Sequence, residues 1–416
     1  MKTLVIDRAG MGMGGIEANY ANIMAYALSR DYRVCWLTTE AHERTSSFKT
    51  VTDDTRVEKH YVKRTPFGPL YPRLTFAPDE EVVVLTSDFL RYLISHAAFK
   101  KGSCRSFSHL LTVAHFKGFA IFPERCFDEG QMRRRWNGRL AVAASWLART
   151  GSVVGFSRVH LETFEKNYGV PVADKDEKLI PPVFALDRPD ESQVRARAAG
   201  RTELFRIITC SRFDFPHKGY VLGLIRAFEQ IHERHPQARL VVVGFGEGEA
   251  CVREAVEKLA PACRGAVELA GSLAPDQLKE RMAACHLNVG VAGALLRGAE
   301  CALPSIVMRH YTEEFEGYGL FAEVGKKMSD EPGSDMTALV EGLITCSDDE
   351  YTAQSLAAFD KVDALFAANP EFVFEQPAIG AEAAPVPALV ARLLFGIRLG
   401  FEKLAHRSPF EDRDRG

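Results

Sequence analysis

The chain opens on a short apolar run, TLVID (3–7), then glycines, then apolar residues at helical intervals: Ile16, Tyr20, Ile23, Met24, Ala27 and Leu28. Residues spaced this way line one face of a helix, so the segment predicts a strand, a glycine turn and a helix packed on a sheet. RVCWLTT (33–39) and EVVVLTS (81–87) read as the next strands, and FLRYLISHAAF as a helix. SHLLTVAH (108–115), SVVGFS (152–157) and KLIPPVF (178–184) read as further strands, the last one stopped by prolines. A polar stretch, DRPDESQVRARAAGRTE (187–203), follows, and the pattern then restarts more regularly. FRIITCS (205–211), ARLVVVG (238–244), GAVELAG (265–271), HLNVGVA and PSIVM read as strands. Between them lie helical YVLGLIRAFEQIHERHP, EACVREAVEKLA, PDQLKERMAAC and a helix from about Leu295. Strands alternating with helices predict parallel sheets covered on both faces.

Length divides this array. At 416 residues the chain exceeds what one core supports. The expected organisation is an N-terminal domain over 1–186, a linker over 187–204, a C-terminal domain over 205–370 and a tail over 371–416. The tail carries an apolar helical pattern, PALVARLLFGIRLGFEKL (387–404). With 46% hydrophobic and 26% charged residues the composition is that of a folded globular protein. A net charge of -3 argues against nucleic acid as a partner. The nine cysteines are scattered without a CxxC pair, which reads as reduced thiols of a cytoplasmic protein. No leader-like apolar region opens the chain, and no stretch approaches the roughly 20 apolar residues of a membrane span. Any membrane contact would be peripheral, at the inner face.

The first glycine turn admits two readings. Gly10, Gly12 and Gly15 spell GxGxxG, and Glu40 stands downstream where a ribose-binding acid would, which together suggest a dinucleotide site. Against this, Asp7, Arg8 and Ala9 separate the strand from the first glycine, and no dehydrogenase constellation follows. The favoured reading takes Gly14 and Gly15 as the pair that opens the helix and lets backbone amides approach an anionic ligand at its N-terminus. Glu17 reads as a first-turn acid complementing the helix dipole.

A family resemblance orders the remaining motifs. ITCSRFDFPHKGYVLGLIRAF resembles the segment of GT-B nucleotide-sugar glycosyltransferases, particularly glycosyltransferase family 4, in which a strand ends in Arg and a loop delivers Lys-Gly before a helix. LVVVGFGEGEACVREAV is similar to that family's next strand and glycine turn, VELAGSLAPDQLKERMAACHLNVGV to its strand, Gly, helix and strand, and ALLRGAECALPSIV to its helix ending before Leu-Pro. In the first half GGIEANYANIMAYALSRDYRVCWLT resembles the N-terminal glycine loop, and VVGFSRVHLETFEKNYGVPVADKDEKLIPPVF the strand, Ser, helix and Ile-Pro-Pro close. The similarity spans most of residues 3 to 325.

The resemblance implies an α/β GT-B fold, two Rossmann-like doubly wound domains facing a central cleft, with the C-terminal helix crossing back onto the first. It implies a UDP- or GDP-sugar donor, a glycan or lipid-linked acceptor in cell-surface polysaccharide synthesis, a retaining transfer, no cofactor and no obligatory metal. Asp53-Asp54 and Asp348-Asp349 lie in polar segments and form no clear DxD. Arg212 and Lys218 match the residues that hold the donor's phosphates and stabilise the departing diphosphate. His115, which closes LLTVAH, matches a His facing the transferred sugar; His109 is its rival, and His217 reads as solvated. Gly244, Gly246 and Gly248 bring backbone near the nucleotide or form a plain strand-to-helix turn. Gly293 precedes a helix whose Ala294 and Leu295 amides would point at the diphosphate. The base is placed near Gly271, Ser272 and Leu273 on resemblance alone. The basic run QMRRRWNGRL (131–140) reads either as an exposed helix face or as a hold for an anionic membrane surface or lipid-diphosphate acceptor.

One departure bears on catalysis. Two glutamates of the family motif fall here on Val289 and Arg297, neither of which can accept a hydroxyl proton. Arg297 can instead donate in a fixed fork to hydroxyl or phosphate oxygens and is expected to reach the nucleotide, with Glu300 either its partner or, if the register slips by a turn, the substitute for the second acid. A noncatalytic glycosyltransferase-like subunit, binding a nucleotide or a partner enzyme, is therefore the rival to the enzyme.

Overall fold

The central strands are apolar on both faces, and that decides the architecture. Val5, Cys35, Leu37, Val82 and Val84 join one core cluster, while Leu4, Ile6, Val34, Trp36, Val83 and Leu85 join another. Alternate residues of one strand thus enter two cores, as in a sheet clothed by helices on both sides. The computed structural model describes residues 1–12, 15–66, 68–99, 104–113, 131–180, 186, 188–325, 332–366, 370–375 and 388–405. Two compact units result, Met1–Phe184 with Ala368–Gly416, and Ala185–Ala367.

The first unit contains β1 (Lys2–Asp7), β2 (Arg33–Thr38), β3 (Val57–Tyr61), the hairpin β4 (Lys63–Thr65) and β5 (Gly68–Leu70), β6 (Glu81–Thr86), β7 (Ser106–Val113) and β8 (Val153–Gly155). Its sheet runs β3-β2-β1-β6-β7-β8, parallel throughout. The second unit contains β9 (Phe205–Arg212), β10 (Ala238–Phe245), β11 (Val267–Gly271), β12 (Leu287–Gly290), β13 (Ser305–Met308), β14 (Glu316–Leu320) and β15 (Ser334–Asp335). Their order is β11-β10-β9-β12-β13-β14-β15; the first five strands are parallel, and β14 and β15 are added by antiparallel pairings. Both sheets have the Rossmann-like doubly wound pattern, in which the order reverses beside the first strand.

Two sequence expectations change. KLIPPVF is not a full strand among the described residues: Lys175–Lys178 forms a 3-10 turn, and Leu179 makes a single bridge to Gly155. The expected linker 187–204 carries a helix, Glu191–Gly200, whose N-cap Asp190 accepts from the Ser192 amide at 2.8 Å. Val194 of this helix is buried with Ala302 and Phe359, so the polar sequence hides a helix of the second unit with a narrow apolar face.

The C-terminal chain contributes to the first unit. Helix Ala388–Ala405 buries Ala391 and Leu394 against the cluster that includes Leu90 and Ile94. Ahead of it, the Glu371 carboxylate accepts from Lys2 Nζ at 2.9 Å, Tyr26 at 2.8 Å and Tyr32 at 2.8 Å. Burial disfavours its charge, but these three donors prevail and bring its pKa down to about 2. A carboxylate depressed in the folded state adds stability above its unfolded pKa and loses it as the proton returns. Glu371→Gln is therefore expected to lower stability by about 2 kcal/mol at pH 7. In denaturant titrations the gap between variant and parent should close as pH falls from the ordinary carboxylate range towards about 2.

Candidate functional site

β9 ends at Arg212, and the chain turns through residues 213–219 into the helix Tyr220–Arg234. Beside it β12 ends at Gly290, and after Val291 alone the helix Ala292–Glu300 begins. The two strands are neighbours, with Val289 opposite Thr209, and the strand order reverses between them. Their two turns consequently flank the switch point at the carboxyl edge, where open parallel sheets hold ligands.

Lys218 occupies the first turn half-buried: its amide donates to Asp214 O at 2.9 Å, while its ammonium has no hydrogen bond or ion pair to any described residue. Burial disfavours its ammonium, the like charge of Arg212 adds to this, and its pKa falls to about 8 despite Asp214. Arg212 is exposed, with Nη2 3.4 Å from Asp214 Oδ2. A half-dehydrated cation with an adjacent cation and one weak counter-ion is poorly satisfied alone, and an anion would satisfy it.

The second turn offers backbone donors. Ala292 and Gly293 are exposed, and a Cβ on Gly293 would meet no atom within 4 Å. The first amides of this helix have no intrahelical acceptors, so Gly293, Ala294 and Leu295 present N–H groups at the positive end of its dipole. Asn288 fixes the helix: its Nδ2 donates to Ala294 O and to Ser305 Oγ, each at 3.2 Å. Gly298 lies directly on Asn288, where a Cβ would come within 2.3 Å of Nδ2.

The GFGEGE glycines shape the first turn. A Cβ on Gly244 would lie 2.1 Å from Ser211 O, and Gly246 has a φ of 137° beside Phe213. Phe213 N donates to Phe245 O at 2.8 Å, and Gly248 N to Phe213 O at 3.0 Å. These glycines thus seat the loop that carries Arg212 and Lys218. Gly271 closes β11 with a φ of 67°, Ser272 follows it, and Leu273 packs with Ile208 and Val241.

Several side chains stand differently from their sequence reading. His217 is not simply solvated: its ring stacks on His310 at 4.8 Å and 11°, and it also meets Tyr311 at 4.8 Å. His310 is pushed down to about 3 by burial, then by Lys218 and His217, so it is neutral. His310 and Tyr311 follow the carboxyl end of β13, a position sequence reading can flag; the stacking requires the fold. Arg297 Nη1 lies 2.8 Å from Glu300 Oε2, and Lys279 Nζ lies 3.3 Å from Glu300 Oε1. The carboxylate is buried between two cations. Val289 is fully buried inside β12, and the one-residue connection to the next helix leaves no loop to carry an acid there.

In the first unit Gly15 begins the helix Gly15–Ser29, and Glu17 in its first turn pairs with Arg8. Gly14 and His115 lie outside the described residues, as do the side chains of 131–139 in the helix Gln131–Arg149. His109 is a core residue, bonded through Nε2 to Thr86 Oγ1 at 2.9 Å and stacked on Tyr92 at 3.9 Å. Burial, then His96, holds it well below the ordinary histidine range. No helix among the described residues is long and apolar enough to cross a membrane.

The sequence matches no protein-family model and no curated protein. Its fold does match solved structures. HepE from Anabaena in complex with UDP and glucose superposes with a TM-score of 0.57 at 18% identity, covering 90% of this chain and 98% of that one. HepE with UDP-glucose gives 0.57 at 17%, covering 96% and 99%. A chain of the GtfA/B complex gives 0.53 at 11%, covering 90% and 100%. Two parallel-sheet Rossmann-like domains and these matches give the chain the GT-B fold of nucleotide-sugar glycosyltransferases.

Proposed function

We propose that this chain is a glycosyltransferase that moves a sugar from a UDP-sugar to a glycan or lipid-linked acceptor of cell-surface polysaccharide. The observation that carries the reading is Lys218, a half-buried ammonium without a direct partner among the described residues, at the carboxyl edge of β9. The UDP and UDP-glucose bound to HepE support the choice of nucleotide. When the bond from the anomeric carbon to the phosphate oxygen breaks, negative charge grows on the departing diphosphate. Lys218, Arg212 and the amides at the start of Ala292–Glu300 would stabilise that charge without reorganising. Fixed cations of this kind serve where other transferases use a metal ion, and the family resemblance favours retention at the anomeric carbon.

A second reading, a nucleotide-binding subunit without catalysis, draws support from the acidic positions. Val289 lies in the core, and Glu300 is neutralised by Arg297 and Lys279. Incubation of the purified chain with UDP-sugars, following UDP release, separates the two. Slow hydrolysis in the absence of acceptor supports the enzyme; tight UDP binding without release of UDP, with or without membrane extracts as acceptor, supports the subunit. Absence of UDP binding removes both.

A further inference from the structure

In the first unit, Cys35 stands opposite Glu58 and Leu37 opposite His60 in the parallel pairing of β2 and β3. Residues two apart on a strand share a face, so Cys35, Glu58 and His60 rise from the same side of the sheet. Cys35 Sγ lies 3.8 Å from Glu58 Oε2, and His60 Nε2 lies 3.4 Å from that same oxygen. All three ligand atoms fall within 4.8 Å of one another. The Nε2 atom of His60 is buried and, among the described residues, makes no hydrogen bond of good geometry, only the 3.4 Å approach to Glu58. A buried nitrogen held only by a long approach to a carboxylate is poorly satisfied, and a cation shared by the two groups would satisfy it.

We infer that Cys35, Glu58 and His60 form a zinc site. Bond lengths of about 2.3 Å to sulfur and about 2.1 Å to nitrogen or oxygen place tetrahedral ligands about 3.6 Å apart for S and O, and about 3.4 Å for N and O. The two observed separations, both to Glu58 Oε2, differ from these by little, and Cys35 Sγ and His60 Nε2, within 4.8 Å of each other, would draw together on the ion. A thiolate, an imidazole and a carboxylate favour Zn2+ over Mg2+ or Ca2+, which require oxygen ligands. Binding replaces the thiol proton: the Cys35 S–H bond breaks, a sulfur–zinc bond forms, and H+ leaves to solvent with no change of oxidation state. Thiolate and carboxylate together balance the dication. The fourth position falls to water, reached past the exposed Glu58.

Arg33 supplies the supporting layer. Its Nε donates to Glu58 Oε1 at 2.7 Å and its Nη2 to Oε2 at 2.8 Å, while Nη1 reaches Glu80 at 3.3 Å. This fork uses one lone pair of Oε2 and orients the other towards Cys35 and His60, as outer partners of metal-bound carboxylates do. The ion would bind the edge strand β3 to β2, which makes the site structural. Its ligands come from two strands, so the sequence contains no short metal motif.

The test uses the full chain, stripped with chelator and dialysed, then titrated with ZnCl2. The expected result is one tightly held zinc per chain, a rise in Tm with Zn2+ and none with Mg2+, and at least a tenfold loss of affinity in Cys35→Ser and in His60→Asn. Co2+ in place of Zn2+ should give a thiolate-to-cobalt charge-transfer band that Cys35→Ser lacks. His60→Asn, at a half-exposed position, serves if Cys35→Ser fails to fold. Zinc uptake below one per chain, or uptake unchanged in His60→Asn, would overturn the site.

Discussion

Lys218→Met is expected to weaken UDP binding by about 10- to 100-fold, the loss of one charge-assisted hydrogen bond, while raising the melting temperature. The two effects share one cause. The folded chain holds this ammonium half-dehydrated beside Arg212, and the fall of its pKa from 10.5 to about 8 measures how unfavourable that is. Methionine fills similar space without a charge, so the variant should gain on the order of 1–3 kcal/mol, at about 2–4 °C per kcal/mol. Uridine, which lacks phosphates, should bind both proteins alike. The pH dependence follows in sign. In the unbound protein the lysine loses its proton near pH 8, and a bound diphosphate raises that pKa. UDP affinity is accordingly full below about pH 8 and falls by up to tenfold per unit above it, with proton uptake on binding. Because the folded pKa lies below the unfolded one, stability of the parent protein rises as pH goes from about 8 towards 10.5, a rise that Lys218→Met lacks. Equal losses for UDP and uridine together with a lower Tm would assign Lys218 to structure instead.

Gly244→Ala is expected to damage stability and binding together. The new Cβ would sit 2.1 Å from Ser211 O and 2.7 Å from the Phe213 ring, and a backbone carbonyl in a sheet cannot retreat as a flexible side chain can. Relief requires moving the turn that carries Arg212 and Lys218, at a cost of about 3 kcal/mol. Gly293→Ala is the contrast. Its Cβ enters open space at the start of Ala292–Glu300, so Tm should hold while UDP affinity falls, because the methyl takes room beside the amides. Thermal melts and calorimetric titration of the two variants read both effects. A Gly244→Ala protein with parental Tm and UDP affinity would contradict the seating of the loop.

The parallel core was legible because strands buried on two faces are nearly continuous apolar runs, as TLVID, EVVVLTS and ARLVVVG are. That Arg212 ends a strand and Lys218 lies in the turn after it was legible as a strand end followed by a turn and a helix, whereas their assignment to a diphosphate came from the family resemblance. Other elements lacked that signal. VEKHY of β3 is half exposed and mostly polar, and Glu316–Leu320 and Ser334–Asp335 hold mainly glycine and polar residues, so pairing with an existing edge makes them strands. The helix Glu191–Gly200 commits only Val194 and Ala198 to the core. The pairing of Arg297 with Glu300 follows from their three-residue spacing, whereas the part of Lys279 in it depends on packing between helices. The stack of His217 on His310 and the meeting of Cys35 with His60 depend on which strands are neighbours, which local sequence does not encode.

The central claim is that a nucleoside diphosphate binds on the second unit, between the turns after β9 and β12. A crystal structure of the chain soaked with UDP tests it most directly. The account predicts diphosphate oxygens about 3 Å from Lys218 Nζ and from the amides of Gly293 or Ala294. UDP found instead at the glycine turn after β1, with Lys218 and the start of Ala292–Glu300 untouched, would contradict it.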